Sequence, residues 1–152
     1  MKLGLESMAA CWDEVAHLYA AHFGSHCDPD RERYLAYEAD NALFLATCRD
    51  GGRLVGFALM YVFASMHDRK VLGREDFFYL LPEARLGWNA LRLLAFVERE
   101  CRRRGCEAIE MTTAISSNAA SIIEERGYVM LSANYRKSLV RADSPIAAEA
   151  VK

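Results

Sequence analysis

The sequence predicts a mixed α/β domain in which two helices precede a central sheet and a third helix interrupts it. Apolar residues recur at helical spacing over two segments, from Met8 to Phe23 and from Asn89 to Arg104. Between and after these segments lie short apolar runs bounded by turn residues, which are typical of buried strands. The chain has 152 residues, of which 53% are hydrophobic, and this is enough apolar material for the core of one domain.

The N-terminal part of the chain predicts a short strand and two helices. Lys2 to Glu6 alternates weakly in polarity, as a strand does, and Ser7 is placed to cap a helix that Gly24 ends. The pair Asp28-Pro29 is typical of an N-cap followed by proline at the first helical position. A second, more polar helix is therefore expected from this pair to about Ala39.

The middle of the chain predicts a hairpin and a further strand. The apolar runs Ala42 to Cys48 and Leu54 to Ala64 flank the turn signal Asp50-Gly51-Gly52, and Gly56 is expected to mark a bulge. Ser65 to Gly73 is polar and predicts a loop. The next strand is expected from Asp76 to Leu81, where Pro82 ends it.

The C-terminal part begins with the helix from Asn89, which Gly105 closes. A strand, a short helix ended by Gly127 and a last strand are expected after it, over Glu107 to Thr113, Asn118 to Arg126 and Tyr128 to Leu139. The order is β-α-α-β-β-β-α-β-α-β. Residues 1–140 are expected to form one domain and residues 141–152 a flexible tail.

Composition argues against several classes of protein. The net charge of -2 gives no indication of a nucleic-acid or membrane-surface partner, and Arg102 to Arg104 is expected to complement a helix dipole. The five cysteines are scattered and suggest neither disulfides nor a zinc ribbon. No carboxylate completes a metal site with His17, His22 and His26, and they are expected to be ordinary surface or core histidines. With no apolar run long enough to span a bilayer, a cytoplasmic protein is expected.

The segment from Leu81 to Ala90 combines a strand end, a turn and a helix start. Such a turn offers unpaired backbone N–H groups and the positive end of the helix dipole, which together bind phosphate, and Arg85 adds a positive charge. A plain strand-to-helix connection is the alternative. The order of the elements from Lys2 to Leu139 resembles the GNAT superfamily of acyl-CoA N-acyltransferases. The polar loop after the long hairpin strand and the closing segment Tyr135 to Leu139 are among the features similar to the small acetyltransferases of tailed-phage genomes.

This resemblance extends to two motifs. Leu81 to Arg85 is similar to the x-Pro-x-x-Arg end of the family's cofactor strand, and Arg85 to Ala90 resembles its Arg/Gln-x-x-Gly-x-Gly/Ala turn. Trp88 replaces the first glycine of that turn, one residue after Gly87. Ser116 to Tyr128 is similar to a second family segment, in which Ile123 occupies the place of a tyrosine that many members keep.

The resemblance implies a mixed sheet of about six strands with a splayed central pair, flanked by about four helices. It also implies that the chain transfers an acetyl group from acetyl-CoA to a primary amine of a small molecule or macromolecule. The residues that it assigns to the cofactor are Leu80, Leu81, Arg85, Leu86, Gly87, Trp88, Asn89, Ala90 and Asn118. Among these, the backbone N–H of Leu80 or Leu81 is expected to stabilise the oxyanion of the intermediate.

The reaction also needs a group that accepts a proton, because a lysine-type amine has a pKa of about 10.4 and attacks only when neutral. Asp76, with Glu75 beside it, is expected to be this group, and a strand-end carboxylate facing water or Arg74 is the alternative. Tyr128 or water is expected to take the part of the replaced tyrosine in protonating the thiolate.

The acceptor pocket of the family implies four more residues, Tyr34, Tyr37, His67 and Glu110. Packing against the sheet, or exposure in a loop, is the alternative for the tyrosines and for His67. Trp88 and Ile123 also leave open a second function, that of a non-catalytic CoA-binding or protein-interaction module. The sequence leaves a homodimer open and requires no metal.

Overall fold

A computed structural model describes residues 1–24, 27–112 and 119–131, and the chain divides into the compact units Met1–Ala114 and Ile115–Lys152. The described elements of the first unit are β1 (Lys2–Glu6), α1 (Met8–Phe23), α2 (Arg31–Ala39), β2 (Leu43–Asp50), β3 (Arg53–Ala64), β4 (Val71–Leu80), α3 (Asn89–Arg103) and β5 (Ala108–Glu110). The second unit contains α4 (Ala119–Glu125). None of the described helices has the length and apolar character needed to cross a bilayer.

The strands form one sheet in the order β1-β2-β3-β4-β5, in which only the β4–β5 pair is parallel. Their side chains alternate between two faces. One face packs against α1 and α2 and the other against α3, and each holds its own cluster of buried apolar residues. The α/β fold with a mixed sheet that the sequence predicts is confirmed. The sheet has five strands among the described residues, where about six were expected.

Capping residues set the bounds of the first two helices. Ser7 caps α1 by accepting the N–H of Ala9 at 3.2 Å, and Gly24 ends the helix, as expected. The expected start of α2 is wrong, because Asp30 rather than Asp28 caps the helix and accepts the N–H of Arg33 at 3.1 Å.

An ion-pair network holds β1, β2 and α1 together. Arg49 of β2 donates from Nε to Glu6 of β1 and from Nη2 to Glu14 of α1, each at 2.7 Å. Thr47 donates to the same Glu6 carboxylate at 2.7 Å. The Nη2 of Arg49 donates to the other oxygen of Glu6 at 2.8 Å, so both carboxylate oxygens of Glu6 accept hydrogen bonds from β2.

The expected hairpin is confirmed, with positive φ at Gly51 and Gly52, as a two-residue primed turn requires. Its bulge lies at Val55, one residue before the expected Gly56, because Cys48 pairs with Gly56 and Arg49 with Leu54. The expected start of β4 is wrong, since the strand begins at Val71 and its first residues belong to the segment that the sequence predicts as a loop.

The helix α3 is confirmed. Its last residue is Arg103, and Gly105, with a φ of 81°, lies just after the C-cap and closes the helix as expected. The strand after it is shorter than expected and ends at Glu110. In the second unit, α4 lies where a helix was expected, but residues 128–131 form no strand. Residues 132–139 of the expected last strand lie outside the described residues.

Gly56 lies where the backbone of β3 packs tightly against the end of β4. A Cβ atom at this position would lie 2.7 Å from the carbonyl oxygen of Tyr79 and 2.8 Å from a side-chain carbon of Leu80. We expect Gly56→Ala to lower the free energy of unfolding by about 1–3 kcal/mol, the usual cost of overpacking. Gly4→Ala is the control, because its nearest neighbour would be 3.9 Å away. Equal urea midpoints for the two variants would contradict this expectation.

Candidate active site

The second bulge of the sheet lies in β4 at Asp76. Met60 of β3 pairs with Glu75 and Leu59 pairs with Phe77, so Asp76 is the extra residue. In a regular strand, Asp76 and Phe77 would point to opposite faces. The bulge turns the Asp76 carboxylate onto the face covered by α1 and α2, which Phe77 also occupies.

Phenol groups surround the Asp76 carboxylate on this face. Tyr19 of α1 donates to Oδ2 at 2.9 Å and Tyr34 of α2 donates to the same oxygen at 2.6 Å. Tyr61 of β3 lies beside the same carboxylate. Asp76 was expected at the start of its strand, with a position facing water or Arg74 as the alternative to a role in the reaction; it lies instead in the middle of β4 among tyrosines.

The phenols remain protonated donors at neutral pH. Burial raises the pKa of Tyr19 and Tyr34, and the neighbouring Asp76 charge raises each further. Burial and the same carboxylate raise the pKa of Tyr61 to about 12. The cluster is therefore a single carboxylate held by neutral phenols, which suits it to receive a cationic amine.

Glu75 immediately precedes the bulge residue Asp76, but its carboxylate has a different hydrogen-bond partner. Its carboxylate accepts the backbone N–H of Thr112, just beyond β5, at 3.1 Å. Burial raises the pKa of Glu75, and the charge of Asp76 acts in the same direction. The two adjacent carboxylates that the sequence groups together thus have different partners.

The far half of β4 has no strand beside it on the side of β5 among the described residues, and we call this side its open edge. Parallel pairing with β5 covers Leu72 to Arg74 and ends there within the described residues. The N–H of Leu81 donates to Val55 of β3 at 2.9 Å, so the N–H and C=O of the preceding Leu80 point to the opposite edge. The sequence predicts the backbone N–H of Leu80 or Leu81 as the oxyanion donor. The N–H of Leu80 faces the open edge, and the N–H of Leu81 does not.

Arg85 lies at the same end of β4, after a 3₁₀ turn at Pro82–Ala84. Its Nε donates to the carbonyl oxygen of Leu80 at 2.8 Å, and its guanidinium lies 5.5 Å from the centre of the Tyr79 ring. The positive charge is thus fixed where β4 is open.

Asn89 stabilises the turn between Arg85 and α3, because its side chain donates hydrogen bonds to the carbonyl oxygens of Ala84 and Leu86. Gly87 has a φ of 66°, and no heavy atom lies within 4 Å of the position its Cβ would take. The side chains of Leu86 and Trp88 are each 74% exposed. Trp88 therefore does not pack over the core, and the N–H groups of the first turn of α3, among them that of the partly buried Ala90, have no acceptor within the helix.

The remaining predicted residues differ in position. Tyr37 contacts Tyr61 edge to face at 5.5 Å between ring centres, so it borders the tyrosine cluster. Glu110 accepts Arg74 at 2.6 Å, and His67 is exposed in the β3–β4 turn. Tyr128 belongs to the second unit and its role stays a prediction.

Asn118 lies outside the described residues, and its assignment also stays a prediction. The sequence reasoning did not identify Tyr19 and Tyr61, which complete the cluster around Asp76. The signal for Tyr19 was its place on the buried stripe of α1, because a buried phenol needs a hydrogen-bond partner. No group of three metal-ligating side chains occurs in the part of the chain that the structure describes.

Residues 12–123 match the model of the acetyltransferase (GNAT) family. No curated protein sequence matches the chain. Similar solved structures include an aminoglycoside acetyltransferase from an uncultured soil metagenomic sample, in complex with sisomicin, at 13% identity and a TM-score of 0.75, over 91% of this chain and 96% of that one. Another is the ribosomal-protein-alanine N-acetyltransferase of Brucella melitensis, at 18% identity and a TM-score of 0.67, over 93% and 99%.

A third is a putative acetyl transferase from Pyrococcus furiosus, at 16% identity and a TM-score of 0.68, over 91% of this chain and 100% of that chain. At these identities the solved structures show a shared fold. The match to the family model covers about three quarters of the sequence, from α1 into α4.

Proposed function

The chain belongs to the acetyltransferase (GNAT) family, and on that premise we propose that it transfers an acetyl group from acetyl-CoA to a primary amine. The observation that carries this proposal is the β4 bulge, which presents Asp76 among phenols on the strand whose far end is open at Leu80. The acceptor is a small molecule or an amine of a macromolecule. The phage-type resemblance, a cytoplasmic location and one domain over residues 1–140 stay predictions of the sequence.

The turn before α3 fits the diphosphate of coenzyme A. The N–H groups at the start of α3, which have no acceptor within the helix, and the guanidinium of Arg85 both favour a bound anion. Gly87 permits a backbone conformation with positive φ that brings successive N–H groups toward one side. We assign Arg85, Leu86, Gly87, Trp88, Asn89 and Ala90 to the phosphates, and the Leu80 N–H to the thioester oxygen.

Asp76 is proposed to hold the acceptor amine. An amine reaches the site mostly as an ammonium ion and is attracted to this carboxylate. Tyr34 and Tyr61 place their hydroxyls against the same carboxylate, and Tyr37 packs against Tyr61. The bound ammonium first loses one proton to water; the neutral nitrogen then bonds to the thioester carbon and the carbon–sulfur bond breaks. The products are an N-acetylated amine and coenzyme A.

Acetyl-CoA is expected to raise the melting temperature, because a ligand that binds only the folded state stabilises it by roughly 2.7 kcal/mol at 100 times its dissociation constant. Arg85→Ala should reduce this shift, since it removes the charge nearest the diphosphate. Arg99→Ala is the control, because Arg99 is exposed on α3 beside Phe96. A shift that is the same in both variants would place the phosphates elsewhere.

The function itself is tested by amine-dependent release of coenzyme A, measured with a panel of small primary amines and amine-containing peptides. Release that depends on an amine supports the transferase. A melting shift with acetyl-CoA but no release with any amine would favour the non-catalytic CoA-binding module that the sequence leaves open.

A further inference from the structure

His22, in the last turn of α1, lies over the middle of β4. Its imidazole ring contacts the rings of Phe77 and Tyr79 edge-on, each with 5.2 Å between ring centres. One helical turn earlier, Tyr19 stacks on Phe77 at 4.5 Å and donates to Asp76. His22 therefore continues the stripe of α1 that covers the strand.

This position lies between the two places that the proposed function assigns to substrates. Asp76 immediately precedes Phe77, and Leu80 with its open edge immediately follows Tyr79. Along β4, the two residues beneath the imidazole thus separate the carboxylate that holds the amine from the N–H that faces the thioester. The side chain of His22 is itself exposed, so its nitrogens are within reach of a bound molecule or a water.

The surroundings of His22 keep it neutral. Although His22 is exposed, its partial desolvation against the aromatic rings lowers its pKa, and the positive charge of Arg85 lowers it further. Among the described residues, the titratable or charged groups seen to act on His22 are Tyr79 on β4 and Arg85 after the 3₁₀ turn, and Tyr19 lies one turn earlier on the same helix. A neutral imidazole accepts a proton, and an imidazolium beside Arg85 releases it readily.

We propose that His22 carries the proton from the acceptor nitrogen to the departing sulfur, an assignment that rests on the proposed transferase function. As the nitrogen–carbon bond forms, the ammonium of the intermediate gives one proton to the imidazole. As the carbon–sulfur bond breaks, the imidazolium gives that proton to the thiolate. The proton is conserved between the two substrates and no further reactant is needed.

The test compares His22→Asn with His17→Asn, a control on the exposed side of the same helix. With a saturating amine, we expect His22→Asn to lower kcat by about 10²-fold, the lower end of the usual loss of acid–base catalysis. The melting shift with acetyl-CoA should be unchanged. Log kcat of the wild type should bend down below about pH 6.5, and this bend should be absent in His22→Asn.

A second variant guards against a purely structural effect. His22→Ala is expected to regain part of its rate when imidazole is added, and imidazole should not change the wild-type rate. If His22→Asn retains wild-type kcat, or if Asp76→Asn rather than His22→Asn removes the acid bend, His22 does not carry the proton. A wild type without any turnover would instead overturn the transferase proposal from which this role follows.

Discussion

Asp76→Asn is expected to lower kcat/KM for a cationic amine by roughly 30- to 1,000-fold, the range for removing one partner of a desolvated charge pair. Asparagine keeps the shape of the side chain and can still accept the phenol of Tyr34, so the fold and the acetyl-CoA melting shift should be retained. Steady-state kinetics with one amine from the panel measure the effect. The loss should appear mainly in KM for the amine, because the carboxylate attracts the ammonium ion.

The loss should also shrink as pH rises toward the pKa of the amine. There the amine becomes neutral and the charge of Asp76 no longer attracts it, so the rates of wild type and variant converge. Asp13→Asn, on the exposed side of α1, is the matched control. Wild-type kinetics for Asp76→Asn over the whole pH range would reduce Asp76 to a structural residue and direct attention to Glu75 or Glu110.

Arg49→Met is expected to have the largest effect on stability, about 2–3 kcal/mol in the free energy of unfolding. The change removes charged hydrogen bonds to Glu6 and Glu14 and leaves two carboxylates without their shared partner. Arg53→Met is the control, since its pair with Glu83 is largely exposed and should cost less than about 1 kcal/mol. Urea unfolding at neutral pH compares the two variants, and equal losses would contradict the expected role of the network.

The same network sets how the protein responds to acid. The hydrogen bond from Arg49 is the largest cause that lowers the pKa of Glu6 to about 2, from an ordinary value of 4.5. A carboxyl with a depressed folded-state pKa stabilises the fold fully above its unfolded pKa and loses this contribution as pH falls toward the folded value. Melting temperature should therefore fall between about pH 4.5 and pH 2 in the wild type, and less steeply in Arg49→Met.

The elements that local signals define were predictable from the sequence. The spacing of apolar residues and the caps Ser7 and Gly24 fix α1, and the same reasoning gives α3 and its end at Gly105. The start of β4 was not predictable in this way. Its first residues follow a polar turn, and their strand conformation depends on pairing with β3 on one side and β5 on the other.

The candidate site was predictable only in part, because its key contacts join distant positions. Asp76 was named from its place in the order of elements, but the bulge that orients it is a matter of register between two strands. The partner of Asp76 on α1 is 57 residues away in the chain, and that on α2 is 42 residues away. His22 was interpreted as an ordinary surface or core histidine, since only its position over Phe77 and Tyr79 distinguishes it from His17.

The bulge at Asp76 implies that length, as well as residue type, matters in this strand. Deleting Asp76 would make Glu75 and Phe77 consecutive, and the existing pairs of Glu75 with Met60 and Phe77 with Leu59 would then form an unbroken ladder. The shortened sheet would be more regular, but it would no longer present a carboxylate to Tyr19 and Tyr34. No single substitution performs the reverse change, because the bulge has one residue more between its paired positions than a regular strand has. Among relatives, alignment gaps at this position should therefore separate chains that carry the carboxylate from those that do not.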